Sequence, residues 1–473
     1  MSWTTEFLAH WLTAGLAVTL GGFVVVTALV AVLHVPLSRW GVLHTPKLAL
    51  MLLGTVVVLV CLTALSEGMG WGSASYAAFL PLVIVTASAD RFAQHLEEEG
   101  VRKALRVMAT TLAVAAASYA VMAVPVLQAA VLAFPELLLA VAAVNLWLGG
   151  WVGVRVAEYH RFRWLLDREH KRGVAAAFHG IAALHENVLG LNERNAGVIH
   201  AANPRRHFAL ADDKCATKAL LERHGVPVPR TLAVFEDVGD VQREWARLEA
   251  LDEFVVKPAR GRAGNGILVL ERASGGWRTP SGRVYGRESL QRAIADIVFG
   301  NLAQGVWDAA LVEERVHPHP FFEAISGGGL PDLRIITHHG LILQAMVRLP
   351  SSASDGKANL HQGALGVGVD IVNGRLGAGY NYRGYELTHP DSGVRFEGLV
   401  LPAWPEIVRI ALTVAEVMPL KYLGVDVVID RERGPLVMEA NARPGIEIQN
   451  VNRRGLRSLL VPGPGFVRPH EAA

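Results

Sequence analysis

The chain has 473 residues, 51% hydrophobic and only 19% charged, with a mean hydropathy of +0.31. That composition excludes a disordered chain, a collagen and a small disulfide-stapled scaffold, and a net charge of +2 leaves no basic footprint for nucleic acid. The length corresponds to about three domains of ~150 residues, and the two cysteines, Cys61 in an apolar run and Cys215 in a polar segment, do not read as a structural disulfide.

The apolar excess is concentrated in the first third. Residues 8–33, 48–65, 72–89, 107–124 and 137–154 contain no Asp, Glu, Lys or Arg. Each run is about 18 residues or longer, enough to cross a hydrocarbon core of about 30 Å as a helix. The succession predicts an α-helical membrane region of about five spans over residues 1–154. No basic stretch precedes the first run, so it reads as an uncleaved span rather than a signal peptide. Arg39 and Lys47 follow the first run. Arg91, Arg102, Lys103 and Arg106 follow the third, and Arg155, Arg161, Arg163, Arg168, Lys171 and Arg172 follow the fifth. The N-terminal tail and the other two connections have no Lys or Arg. This alternation predicts a multi-pass protein of the cytoplasmic (inner) membrane, with its N-terminus outside and everything after residue 155 in the cytoplasm. Glu136 after Pro135 is ordinary helix-start chemistry, and Asn145 suits an interhelical hydrogen bond. No acid–base pair marks a transport path, so the spans read as an anchor or as a surface for a membrane-protein partner. Residues 155–194 form a basic, helical juxtamembrane linker suited to membrane lipid headgroups.

From residue 195 the composition is that of a soluble domain in which strands and helices alternate, extending to about residue 460, with 461–473 as a flexible tail. Several segments carry chemistry in order. Asp212, Asp213 and Lys214 precede a helix. Residues 254–258, FVVKP, form a strand ending at Lys257, and Gly261, Gly264 and Gly266 follow, letting backbone amides approach an anion. That turn lacks the lysine–hydroxyl ending of a P-loop and the spacing of a dinucleotide fingerprint; by itself it is as consistent with a plain hairpin. A short strand then leads into Glu313 and Glu314, followed by Val316. A hairpin from Asp332 and Arg334 returns to Arg348, and Lys357, Asn359 and His361 follow.

The most informative stretch is GVDVVID (424–430) followed by GPLVMEANARPG (434–445). Two apolar strands around residues 431–434 predict a hairpin. If those four residues form the loop, Asp430 faces Pro435 and Asp426 faces Glu439, with Cβ atoms about 4.5–5.5 Å apart. Asn441 then points to the same face as Glu439. Opposed carboxylates repel unless a cation joins them, and hard oxygen ligands without His or Cys suit magnesium. The alternative is a polar sheet face with solvated acids, and a one-residue slip would remove the geometry.

At these residues the chain resembles the ATP-grasp superfamily, most closely the alpha-L-glutamate ligase-like, sugar-transfer-associated branch. GPLVMEANARPG is similar to that branch's metal motif, and GKANLHQGALGVG (356–368) to its central motif. The resemblance spans residues 187–460 and implies an α+β ATP-grasp domain that uses ATP and Mg2+, with Mn2+ as a substitute. It implies that Lys214 and Lys257 contact ATP phosphates and that the Gly261, Gly264 and Gly266 turn closes over them. Glu313, Glu314 and Val316 match the adenine hinge, and Asp332 matches an acid beside the ribose. Lys357 and Asn359 match groups near the transferred phosphate. Asp426, Glu439 and Asn441 match the magnesium ligands. Arg348, with Arg334 and Arg443, is expected to stabilise the transferring phosphoryl group. One departure stands out: about fifteen residues separate the hinge from Asp332, where the glutamate ligases have a shorter link.

The implied reaction joins a carboxylate to an amine through an acyl phosphate, with a small molecule, a peptide or a cell-envelope component as substrate. A lone His361 fits a structural hydrogen bond better than a catalytic base. Two other readings stay open: a nucleotide-binding sensor or assembly module of a polysaccharide or export system without turnover, and a transporter gated by its cytoplasmic domain.

Overall fold

The computed structural model describes residues 101–149, 153–166, 186–261, 266–300, 307–326 and 328–460. The first three apolar runs, Gly264 and the 461–473 tail lie outside the described residues. The chain divides into two compact units, at residues 148 and 149.

In the first unit the fourth apolar run forms one continuous helix, α1 (Val101–Met122). Its 104–122 stretch is long and apolar enough to cross a membrane. The connection expected after it is itself helical. α2 (Pro125–Ala133) starts with proline in the first turn, where its missing N–H costs nothing, and α3 (Leu137–Gly149) follows a break bent by 107°. A charge-free stretch read as a loop therefore adds a helix, and the fifth run is helical only to Gly149 among the described residues. None of the residues of α2 is buried, and Leu132 is 84% exposed.

The second unit is built on two antiparallel sheets. The smaller contains β1 (Thr231–Phe235), β2 (Glu253–Pro258), β3 (Leu268–Ala273), β4 (Gly276–Arg278), β5 (Val284–Tyr285) and β6 (Ala310–Glu313), in the order β1-β6-β2-β3-β4-β5. Its core joins Phe235, Phe254 and Val312 to Trp245, Leu290 and Ile294 from the helices that follow β1 and β5.

The larger sheet contains β7 (Asp332–His338), β8 (Leu341–Leu349), β9 (Leu365–Val369), β10 (Leu376–Asn381), β11 (Gly384–Glu386), β12 (Tyr422–Asp430) and β13 (Gly434–Asn441), in the order β11-β10-β9-β8-β7-β12-β13. β12 is buried along its whole length. Leu423, Val425 and Val427 point into the main core, where a helix over Trp404–Val417 presents Ile407, Ala411 and Val414 at helical spacing. Tyr422 points to a second core with Ile336, Met346, Ile448 and Val451. Alternation therefore places Asp426 on the Tyr422 face.

The long link between hinge and Asp332 has a structural use. Pro320–Ser326 is a helix whose Phe322 and Ile325 enter the main core, and Pro318 bridges to Asp430.

Residues 153–166 are packed into the second unit. A helix over Val156–Arg161 is capped by Glu158, which accepts from Arg155 N at 2.8 Å and from Leu191 N at 2.6 Å. Arg161 Nε pairs with Glu447 Oε2 at 2.7 Å, and Asn450 Nδ2 donates to the Arg161 carbonyl at 3.0 Å. Phe162 is fully buried between Val188 and Ile446. Phe162→Ala is expected to destabilise the second unit by about 3–5 kcal/mol, read as a lower denaturant midpoint of that unit in the full chain; an unchanged midpoint would mean the segment is not part of its core.

Candidate active site

Asp426 of β12 faces Arg334 of β7 on one side and Glu439 of β13 on the other. The hairpin reaches that register by two offsetting departures from simple counting. Its loop is one residue shorter than predicted, so Asp430 pairs with Gly434. A bulge at Met438 then restores the alignment, because Val427 pairs with Val437 while Asp426 pairs with Glu439.

The carboxylate of Asp426 is filled with donors. Arg334 forks onto both oxygens, its Nη2 at 2.6 Å from Oδ2 and its Nε on Oδ1. Arg348 Nη2 donates to Oδ2 at 3.0 Å and Asn441 Nδ2 at 3.2 Å. Arg348 also forks onto both oxygens of Asp332, which faces it across β7 and β8. Burial alone would raise the Asp426 carboxyl, but the two arginines hold it below the usual carboxylate range. Burial pushes Asp332 the other way, up to about 6, against the pull of Arg348 and with the nearby charge of Asp426 adding to the rise.

A second cluster lies at the start of the helix Lys214–Arg223, capped by Asp213, whose Oδ1 accepts from Ala216 N at 3.1 Å. Lys214 Nζ donates to the Gly261 carbonyl at 2.7 Å and lies 3.9 Å from Glu439 Oε1. Gly261 is required there: a Cβ would sit 2.2 Å from Pro258 Cγ. Gly266 adopts φ +76°, a left-handed conformation that suits glycine. Lys257 Nζ pairs with Glu313 Oε2 at 2.5 Å. The other Glu313 oxygen takes Lys218, a residue the sequence reading passed over. Its signal was present: Lys218 lies one helical turn beyond Lys214, in the buried stripe with Thr217 and Leu221.

The remaining predicted residues separate. Glu314 accepts from Arg230 N at 2.8 Å and pairs with Arg230 and Arg433 at the hinge. Val316 packs against Val428 and Leu436. Asp332, matched to a ribose contact, stands on the larger sheet in the fork of Arg348, whereas the Glu313 hinge ends β6 of the smaller sheet. The helical insert leads the chain from one sheet to the other. Arg443 does not join Arg334 and Arg348; it is exposed, with its guanidinium 4.5 Å from the ring centre of Phe208. Lys357 is exposed, and Asn359 caps a short turn by accepting from His361 N at 3.0 Å. His361 is paired with the Tyr382 hydroxyl at 2.7 Å, a structural bond.

Among the described residues no three His, Cys, Asp or Glu side chains cluster to hold a metal. With the Asn441 amide counted, Asp426, Glu439 and Asn441 supply a hard-oxygen set of the kind that fits magnesium. Glu439 is 35% exposed at its side chain and open to a cation. Asp426 joins such a set only if one of its N–H donors withdraws, since four reach it now.

Asp426→Asn removes the charge that holds both arginines. The expected cost is about 3–5 kcal/mol of stability, as for a broken buried pair, measured by chemical denaturation. A change below about 1 kcal/mol would show that the arginines find other partners.

Residues 193–461 match the family described as sugar-transfer associated ATP-grasp. Residues 7–166 match one described as seven transmembrane helices usually fused to an inactive transglutaminase; that description has more helices than the five charge-free runs, and α2 is one helix the runs did not reveal. A probable alpha-L-glutamate ligase of Marinobacter nauticus is 24% identical over 291 residues, 61% of this chain and 72% of that protein. A probable alpha-L-glutamate ligase of Legionella pneumophila is 24% identical over 290 residues, 60% of this chain and 71% of that protein. Among solved structures, the ATP-grasp ligase PsnB complexed with a minimal precursor is 16% identical, with TM-score 0.32, covering 60% of this chain and 68% of PsnB. D-alanyl-alanine synthetase A from Vibrio cholerae is 14% identical with TM-score 0.32, covering 50% of this chain and 56% of its own. Since the match to residues 193–461 takes in more than half of the chain, the protein belongs to the sugar-transfer associated ATP-grasp family, with a membrane region preceding its ligase domain.

Proposed function

We propose that this protein is a membrane-anchored, ATP-dependent carboxylate–amine ligase whose catalytic domain lies in the cytoplasm. The observation that carries the reading is the sharing of Asp426 by Arg334 and Arg348, opposite Glu439 and beside the lysine cluster. In this reading a phosphoryl group would be met by the two aimed guanidiniums, Glu439 and Lys214.

In the proposed reaction a substrate carboxylate oxygen attacks the γ-phosphorus of ATP, and the bond to ADP breaks. The amine then attacks the acyl carbon, phosphate leaves, and the amine loses a proton as the amide forms. A free carboxylate resists an amine, so this activation is what ATP supplies. Magnesium held by Glu439, Asn441 and Asp426 would neutralise phosphate charge when bound. Lys214 and Lys257 orient the phosphates, and the Gly261 carbonyl fixes the Lys214 ammonium at the mouth of the cleft. Arg334 and Arg348 are pre-aimed by Asp426 and Asp332, so little reorganisation accompanies charge movement. Asp332 thereby serves as the positioning partner of Arg348. Positioning and charge neutralisation suffice for phosphoryl transfer, and no dedicated nucleophile is needed.

The glutamate ligase names of the relatives support an amino acid as one substrate. The membrane region supports a peptide or envelope component as the other, with membrane lipid close by.

Purified full-length protein in detergent, given Mg-ATP with pools of amino acids and peptides, is expected to release phosphate only when a carboxylate and an amine are both present. Glu439→Gln with Asn441→Ala should abolish the release. Tight, magnesium-dependent ATP binding with no turnover on any pool or on native membrane extract would favour the sensor reading instead.

A further inference from the structure

Lysine is rarely buried without a partner for its charge. Lys218 and Lys257 are each only 4% exposed, and the carboxylate between them, Glu313, is 1% exposed. Glu313 gives one oxygen to each ammonium, so two cations share one anion. The neighbouring acids are engaged elsewhere. Asp308 accepts from the Arg260 and Ala309 N–H groups, Asp213 caps the helix, and Glu222 lies exposed on that helix's outer side. Taken by itself, the Lys218–Glu313–Lys257 triad holds one more positive than negative charge, with the carboxylates of Asp213 and Asp308 close by. Burial pulls Lys218 below the ordinary lysine range despite the attraction of Glu313.

Lys218 lines, with Lys214, Thr217, Glu439 and the apolar Leu221 and Val437, a narrow cleft between the Lys214–Arg223 helix and β13. Lys214 and Lys218, four residues apart, share one face of that helix. An ammonium carries three donors, and Glu313 occupies one of those of Lys218. An anion arriving there would complete the charge count that the triad leaves open.

We propose that Lys218 is a third phosphate-binding lysine, held on Glu313 until a phosphate of a nucleoside polyphosphate enters the cleft. The inference rests on the reading of the cleft as a nucleotide site, and adds a residue to it. A lysine kept only for structure would be replaceable by an apolar side chain only at the expense of stability, with binding untouched. A lysine kept for a ligand behaves in the opposite way: removing it relieves a buried charge in the free protein and weakens the complex.

The test compares wild type, Lys218→Met, Lys218→Arg and Lys257→Met as full-length proteins in detergent. Calorimetric titrations use Mg-ATP and, separately, inorganic tripolyphosphate; heat stability is measured without ligand. Lys218→Met is expected to weaken Mg-ATP binding by about tenfold or more, the worth of one charged hydrogen bond, while unfolding at the wild-type temperature or above. Lys218→Arg should recover part of the binding. Wild-type affinity in Lys218→Met, together with loss of affinity in Lys257→Met, would overturn the proposal and leave the nucleotide reading intact. Wild-type protein that takes up neither Mg-ATP nor tripolyphosphate would refute the cleft reading itself.

Discussion

A carboxylate at the centre of a sheet is tolerated only when donors reach it, and Asp426 receives four N–H bonds from side chains on three other strands of its sheet. Arg334 comes from β7, Arg348 from β8 and Asn441 from β13, so one anion ties these strands of the larger sheet together on one face. Everything proposed for the site depends on this charge. It aims two guanidiniums, fixes the amide of Asn441, and leaves Glu439 as the acid still open to a cation. Asp332 extends the same network by sharing Arg348. The opposite face of β12 is wholly apolar and packs on the helix Trp404–Val417, so a one-residue slip would turn Asp426 toward Ile407, Ala411 and Val414 and expel Leu423 and Val427 from that core.

The lysine cluster works by a different rule. There the anion is in short supply, and Glu313 is divided between Lys218 and Lys257. The two clusters meet where Lys214 approaches Glu439. A metal–polyphosphate ligand of the kind proposed would bring both signs of charge at once: its phosphates would answer the lysines and its cation Glu439 and Asn441. That complementarity is a physical reason for an ATP-grasp domain to bind nucleotide and metal together.

Much of this was legible in the sequence because strands have a period of two and the key acids sit inside apolar strands. Asp426, Glu439 and Asn441 were placed on one face by counting alone, although the count reached that face through a short loop and an unforeseen bulge that offset one another. Bulges are invisible to periodicity, so the agreement in register came partly by chance. Lys218 was missed because a lysine on an amphipathic helix normally reads as surface, although its spacing puts it in the buried stripe with Thr217 and Leu221. Arg443 was grouped with the other arginines by proximity in sequence, yet it leaves the strand after Asn441 and stacks on Phe208. The helix α2 escaped notice because nothing in an uncharged stretch marks where one apolar helix stops and the next begins, apart from a proline at either end. The docking of residues 153–166 was hidden for another reason: basic residues after a span suggest headgroup contacts, and the buried Phe162 between them carries the opposite message.

The central claim is that ATP activates a carboxylate as its acyl phosphate in this domain. Trapping with hydroxylamine tests it most directly, in native membranes containing the full chain so that any membrane-bound substrate is present. The account predicts an acyl hydroxamate formed one-for-one with ADP and phosphate, dependent on magnesium and absent from the Glu439→Gln protein. AMP and pyrophosphate in place of ADP, or ADP released with no hydroxamate, would contradict it.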